Sequence, residues 1–173
     1  REAATMRRQV DHHLARARAV GRLGHSQSRA LVWGSLESVE RAVSRLYAHV
    51  RIDMAGDKAI AARVERQDLD EMLGNLIENA AKYGGGSVFV TVSDAGEFVE
   101  IAIEDDGQGI PKSERERLFD RGARLDTGKP GTGLGLAIVR DVVEIYGGTI
   151  ALEKSEDMGG LLVRLSLPKA IAD

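Results

Sequence analysis

Asn75, Asn79 and Lys82 recur at spacings of four and three, which places them on one face of a helix, opposite Leu69, Leu73, Leu76 and Ile77. An asparagine carbonyl is a hard oxygen ligand of the kind Mg²⁺ takes, and a lysine supplies a point charge for phosphate. Tyr83, at the helix end, offers a flat ring for stacking on a base. Further along, Glu104-Asp105-Asp106-Gly107-Gln108-Gly109-Ile110-Pro111 ends an apolar strand pattern with consecutive acids, then glycines. Glycines let backbone approach a flat ligand closely, and a carboxylate at the bottom of such a pocket accepts a hydrogen bond from an exocyclic amine. A charge-assisted bond of this kind contributes roughly 1.5–3 kcal/mol, enough to select adenine from guanine. In the third segment, Pro130-Gly131-Thr132-Gly133-Leu134-Gly135-Leu136, glycines lead into a helical pattern, and N–H groups bared at a helix N-terminus make an anion site.

Each segment has an ordinary alternative when taken singly: a polar solvent face, an Asp-Gly turn, a flexible hinge. A Ca²⁺ loop fails at the second, because it would need an oxygen ligand at Gly107. The third is not a dinucleotide fingerprint, since its glycines fall at the first, third and fifth places and no strand precedes it. Nor is it a P-loop, because no Gly-Lys-Ser/Thr follows. In combination the alternatives weaken. Metal ligand, amine acceptor and triphosphate cradle occur in one chain in a workable order.

The elements that must hold these segments are legible from periodicity. In residues 1–30, seven arginines stand against only Glu2 and Asp11, and Met6, Val10, His13, Ala17 and Val20 form a heptad-like stripe widened by Leu14. Such a helix needs a bundle or a second subunit to cover it. Gly21, Gly24, Ser26 and Ser28 read as a linker. Ser35 is expected to cap a second helix with Leu36, Val39, Val43, Leu46 and Val50 inward. Short strands are expected at 51–54 and 60–64, with Ala55-Gly56-Asp57 as the turn between them. Asp68 and Glu71 form a capping-box pattern opening the helix of Asn75 and Asn79, which Gly84-Gly85-Gly86 ends. Alternation predicts strands at 87–93 and 98–104, a short helix at 113–118, a helix over 134–146, and a final hairpin of 149–154 with 161–167 around Asp157-Met158-Gly159-Gly160. Helices on one face of a mixed, mostly antiparallel sheet make an α+β fold, a two-layer sandwich.

Composition bounds the rest. The 173 residues are 43% hydrophobic, 29% charged and 4% aromatic, as for a soluble globular chain with an aliphatic core. A net charge of −3 gives no general argument for nucleic acid. The absence of cysteine excludes disulfides, thiolate metal sites and cysteine nucleophiles, and fits a reducing compartment. There is no visible signal peptide and no membrane-length apolar run, so no membrane contact is expected within this stretch. The chain opens at Arg1 inside a helical pattern, as expected of a piece of a longer protein.

These segments resemble the N, G1 and G2 boxes of the ATP-binding domain of two-component sensor histidine kinases, within the superfamily that includes DNA gyrase, the Hsp90 chaperone and the MutL repair protein. Leu118-Phe119-Asp120-Arg121-Gly122 resembles the F box, and the resemblance covers roughly residues 35–168. RLFDRGARLDTGKPGTGLGLA, with QVDHHLARAR upstream, looks most like kinases of the PhoQ type. The resemblance implies a Bergerat-type fold binding ATP with Mg²⁺. It implies that Asn79 coordinates Mg²⁺ with Asn75 assisting, that Lys82 contacts phosphate, and that Tyr83 packs on adenine. Asp105 would accept the adenine amine, with Gly107, Gly109 and Ile110 as that wall. Gly131, Thr132, Gly133, Leu134 and Gly135 would border the triphosphate, and residues 112–130 would form a lid anchored by Phe119. Arg121 or Arg124 would reach the γ-phosphate or the phosphoacceptor helix.

Hydrolytic members of the superfamily carry a glutamate one turn before the metal-binding asparagine. Here that position is Asn75, which cannot take a proton, so the resemblance implies transfer to a histidine rather than to water. Glu78 points elsewhere and reads as a surface acid. None of His12, His13, His25 or His49 has the following acid and proline of the acceptor pattern, so the acceptor is expected upstream of Arg1. His13 reads as a packing residue. The implied organisation is a dimerisation-helix remnant at 1–28 and a catalytic domain at 29–173. The implied partners are the phosphoacceptor helix in a homodimer and a response regulator receiver domain, with the whole protein anchored in a bacterial inner membrane and this part cytoplasmic. An ATP-hydrolysing clamp, a nucleotide-binding scaffold without catalysis and a serine-directed kinase of the anti-sigma type are the alternatives.

Overall fold

The computed structural model describes residues 28–119 and 135–171. The elements are β1 (Ala30–Leu31), α1 (Val32–Leu46), β2 (Arg51–Gly56), β3 (Ala61–Ala62), α2 (Arg66–Tyr83), β4 (Ser87–Ala95), β5 (Phe98–Asp105), α3 (Lys112–Arg115) with a 3₁₀ turn over Glu116–Phe119, α4 (Leu136–Ile145), β6 (Thr149–Lys154) and β7 (Leu161–Pro168). Five strands form one sheet in the order β2-β4-β5-β7-β6. β2 runs parallel to β4 and every other pair is antiparallel. The expected mixed, mostly antiparallel sheet is therefore present.

Strand alternation decides the layers. Val88, Val90 and Val92 of β4, Val99, Ile101 and Ile103 of β5, and Val163, Leu165 and Leu167 of β7 are all buried. Val32, Leu36, Val39 and Val43 of α1, Leu69, Leu73, Leu76 and Ile77 of α2, and Val139, Val142 and Val143 of α4 join the same core. Burying each such side chain contributes roughly 1.5–3 kcal/mol. The opposite sheet face carries charge: Arg164 Nε donates to Glu153 at 2.8 Å, and its Nη1 donates to Glu100.

The same alternation carries functional weight at the end of β5. Val99, Ile101, Ile103 and Asp105 share a face, and Asp105 pairs with Val88 across the ladder. The strand's period delivers an acid to the core side, at the mouth between sheet and α2.

Several local expectations change. Ser35 is not a cap, since α1 begins at Val32, directly out of β1. Ser35 is buried, and its hydroxyl donates to Asp70 Oδ1, tying α1 to α2. Leu46 is 72% exposed, while Val50 is buried beyond the helix end. Asp68 is not an N-cap either, because α2 begins at Arg66 and Asp68 sits in its first turn. Asp68 accepts instead from the Tyr146 hydroxyl, a contact between residues distant in sequence. β2 and β3 do not pair with each other; β2 joins the main sheet and β3 pairs with β1. Ala55 and Gly56 belong to β2 rather than to the turn, which starts at Asp57, whose Oδ1 accepts from the Ala59 N–H at 2.8 Å. The last helix starts at Leu136, two residues after the expected start. The stripe of residues 6–20 and the linker at 21–26 lie outside the described residues.

Candidate functional site

α2 stops at Gly84, β5 stops at Asp105, and a cavity of about 440 Å³ opens between those two ends. That size suits a small-molecule ligand. Leu76, Asn79, Ala80 and Tyr83 of α2 form one wall. Ile103 and Asp105 of β5 with Leu161 and Val163 of β7 form the floor. Asp106, Gly107, Gln108, Gly109 and Ile110 curve round one side, and Leu136 of α4 closes the other. Asp106 Oδ1 accepts from the N–H groups of Gly85 at 2.9 Å and Ser87 at 3.0 Å, which fixes the turn from α2 into β4.

Asp105 is the charged group in this floor, and it is only 6% exposed. Its Oδ1 accepts from the N–H of Gly107 at 2.9 Å and of Leu161 at 3.3 Å. Both bonds fall on Oδ1, so Oδ2 is the acceptor left for a ligand. Burial pushes the carboxyl above the ordinary aspartate range, and the two N–H bonds oppose that shift. An apolar slot with one acceptor in its floor is complementary to a flat heteroaromatic ring bearing an amino group.

The other α2 residues divide by position. Asn79 and Tyr83 line the cavity. Asn75 stands one turn back, and its Oδ1 accepts from Asn79 Nδ2 at 3.0 Å. Asn75 also meets the start of α4. Gly135 has φ +64°, and a Cβ there would lie 2.7 Å from Asn75 Nδ2. The first and third motifs therefore touch, and a glycine is required where they do. Lys82 is not in the lining; its Nζ sits 5.3 Å from the Tyr83 ring centroid. Gly107, Gly109 and Ile110 are in the wall as expected from sequence. Phe119 ends the 3₁₀ turn outside the lining, with the Arg140 guanidinium 4.9 Å from its ring centroid. Arg140 also pairs with Glu116 at 3.1 Å, so α4 holds that turn through two contacts. Arg121, Arg124, Gly131, Thr132, Gly133 and Leu134 lie outside the described residues.

Sequence reading passed over Leu76, Ala80, Ile103, Leu136, Leu161 and Val163 as lining. Their apolar periodicity is indistinguishable from that of core residues. Only the ends of two elements, brought together by long-range pairing, open a cavity beside them. Among the described residues no group of three or more His, Cys, Asp or Glu could hold a metal ion.

The family model described as histidine kinase-, DNA gyrase B- and HSP90-like ATPase matches residues 64–171. The two-component sensor PhoQ of Pseudomonas aeruginosa is 36% identical over 164 residues, covering 92% of this chain and 36% of that protein. Among solved structures, the mycobacterial sensor histidine kinase MprB superposes with a TM-score of 0.75 at 25% identity, covering 84% of this chain and 99% of that one. The ATP-binding domain of PrrB from Mycobacterium tuberculosis superposes at 0.69 with 28% identity, covering 82% and 96%. This chain spans 27–36% of the length of the curated relatives that match it first.

Proposed function

The chain belongs to the histidine kinase-, DNA gyrase B- and HSP90-like ATPase family, and from that membership we propose that residues 29–173 are the ATP-binding catalytic domain of a sensor histidine kinase. The observation that carries this reading is Asp105: a buried carboxylate in an apolar floor, with Oδ1 committed to backbone and Oδ2 left over. In this reading Oδ2 accepts from the adenine 6-amino group. Tyr83 packs on the ring, and Gly107, Gly109 and Ile110 shape its edge.

Asn79 lies one helical turn above Tyr83, where the phosphates of a bound nucleotide would leave the slot. Its Nδ2 donates to Asn75 Oδ1, and an amide carbonyl is the kind of hard oxygen a cation would take. Mg²⁺ held there would neutralise charge on the phosphates during transfer. Lys82 would contact phosphate from outside the cavity lining, and the stretch from Gly131, Thr132, Gly133 and Leu134 to Gly135 would border the phosphates. Arg121 or Arg124 reaches the γ-phosphate or the acceptor helix, and Phe119 anchors the segment between.

The intact protein would move the γ-phosphoryl group of ATP onto a histidine of its dimerisation helix. The bond to the β-phosphate oxygen breaks as a bond to the imidazole nitrogen forms, and ADP leaves. A response regulator receiver domain would take the phosphoryl group next. Residues 1–28 would be the end of the dimerisation helix, and the whole protein would be anchored in the inner membrane. Among the described residues no helix is long and apolar enough to cross a membrane. Asn75 favours transfer over hydrolysis. A neutral amide hydrogen-bonded to Asn79 stands where a water-activating base would be needed, and an imidazole acceptor needs positioning more than it needs a protein base.

Isothermal titration of this chain with Mg-ATP tests the reading. Asp105→Asn is expected to weaken binding by about tenfold or more, the loss of one charge-assisted hydrogen bond. Unchanged affinity would remove the assignment of the base site.

A further inference from the structure

The turn joining β6 to β7, Ser155–Gly160, lies against the back of Asp105, and neither the motifs nor the family reading gives it a role. Its last two residues are glycines for different reasons. Gly159 has φ +88°, and a Cβ built there meets nothing within 4 Å. Its demand is conformational. Gly160 is a demand for space. A Cβ there would lie 2.2 Å from Asp105 Oδ1, 2.4 Å from the Asp105 carbonyl oxygen and 2.7 Å from the Gly107 nitrogen.

We propose that Gly160 is a specificity-determining position for the base: its bare Cα lets the turn seat Asp105 with Oδ1 on backbone and Oδ2 toward the ligand. The inference rests on the adenine-binding reading above. The backbone shows how the seat is made. The Gly160 N–H donates to the Asp105 carbonyl at 3.1 Å, and the next N–H, of Leu161, donates to Asp105 Oδ1. The turn cannot give way easily. Ser155 is fully buried, its N–H donates to the Gly160 carbonyl at 2.8 Å, its carbonyl accepts from the Gly159 N–H at 2.8 Å, and its Oγ accepts from the Met158 N–H at 3.0 Å. A methyl group at 160 therefore pushes back the end of β5, moving the Asp105 carboxylate together with the main chain of Asp105 and Gly107. Oδ1 then loses the N–H groups that orient it, and Oδ2 no longer faces a 6-amino group squarely. Gly160 is a positioning residue, and its readout is base selectivity rather than affinity for triphosphate.

The test compares ATP with inosine triphosphate, which carries an oxo group at C6 in place of the amine, by competition against a fluorescent nucleotide on the full 173-residue chain. The unsubstituted chain is expected to prefer ATP by about tenfold or more, one charge-assisted bond. Gly160→Ala should collapse that ratio, with affinity for inosine triphosphate little changed. Gly159→Ala, which strains the same turn without reaching Asp105, should lower the melting temperature and keep the ratio. Ser155→Ala should give a smaller fall in the ratio. A Gly160→Ala chain that melts cooperatively and keeps the full preference overturns the proposal. If that variant does not fold, an unchanged ratio in Ser155→Ala overturns it. Failure of the underlying reading looks different: the unsubstituted chain would then show no preference, and Asp105→Asn would change nothing.

Discussion

The two ends of α2 each bury an aspartate, and they use it in opposite ways. Asp68, in the first turn, is 1% exposed and accepts at Oδ2 from the Tyr146 hydroxyl, which itself accepts from the Glu65 N–H at 3.4 Å. Asp105, beside the last turn, is 6% exposed and is held by two backbone N–H groups on one oxygen. At the first end a side chain reaches in from the residue that follows α4 and ties that helix to α2. At the second, main chain does the holding and the remaining oxygen lines a cavity. Burial of a carboxylate does not by itself mark a site. What distinguishes the two is whether the carboxylate sits within packed protein or lines a cavity.

Substitutions at both ends should separate the two roles. Asp105→Asn should cost roughly 1.5–3 kcal/mol of Mg-ATP affinity by calorimetry. Asp68→Asn should leave that affinity within about twofold while lowering unfolding free energy in urea by about 1–3 kcal/mol, the penalty for disturbing a buried hydrogen-bonded group. Equal effects on binding at both ends would erase the distinction. Tyr146→Phe removes the donor to Asp68 and the acceptor of the longer bond from the Glu65 N–H. It should cost about 1.5–3 kcal/mol in the same urea titration, as a bond to a charged group does, with nucleotide affinity again intact.

Gly135→Ala probes where α2 meets α4. The left-handed φ costs an L residue about 1–2 kcal/mol, and the added methyl would press on Asn75. Weaker binding of ATP than of adenosine, relative to the unsubstituted chain, would place the damage at the phosphates.

Acidification should act on the Asp105 end. Burial raises the Asp105 pKa, so its proton binds at a higher pH than on an exposed aspartate, whose pKa is about 3.9. Nucleotide affinity should therefore fall as pH drops through that raised value, before exposed aspartates titrate. The contribution to folding has the opposite sign, since protonation relieves the cost of burying charge and stability from this group rises as pH falls. In Asp105→Asn both dependences should disappear. The smallest effect is expected on the far sheet face. There the bond to Arg164 lowers the Glu153 pKa, so any stabilisation is present above the unfolded pKa and lost as pH falls through the folded one. The pair is well exposed, so Glu153→Gln should cost at most about 0.2–1 kcal/mol in urea, and less in high salt.

The Asp105 end was legible from the chain, and the Asp68 end was misread. Consecutive acids after an apolar strand pattern already marked a carboxylate for the bottom of a pocket, and Gly107 and Gly109 marked a close backbone approach beside it. Asp68 with Glu71 matched a capping box, because that pattern describes four adjacent residues and is blind to a tyrosine 78 positions away. Ser35 was misread for the same reason, its partner being Asp70 on another helix. The parallel pairing of β2 with β4 was also hidden, since a local turn signal says nothing about which strand a segment joins.

The sequence by itself determined the periodic faces, the three motifs in order, and the type of atom each offers a ligand. These depend on helix and strand repeats and on side-chain chemistry, both local properties. Only the tertiary structure decided which motif residues reach the cavity. It placed Asn79 and Tyr83 in the wall and Lys82 outside it, set Gly135 against Asn75, and brought the β6–β7 turn under Asp105. Those outcomes follow from strand order and hydrogen bonds between residues far apart in the chain, which no local pattern encodes.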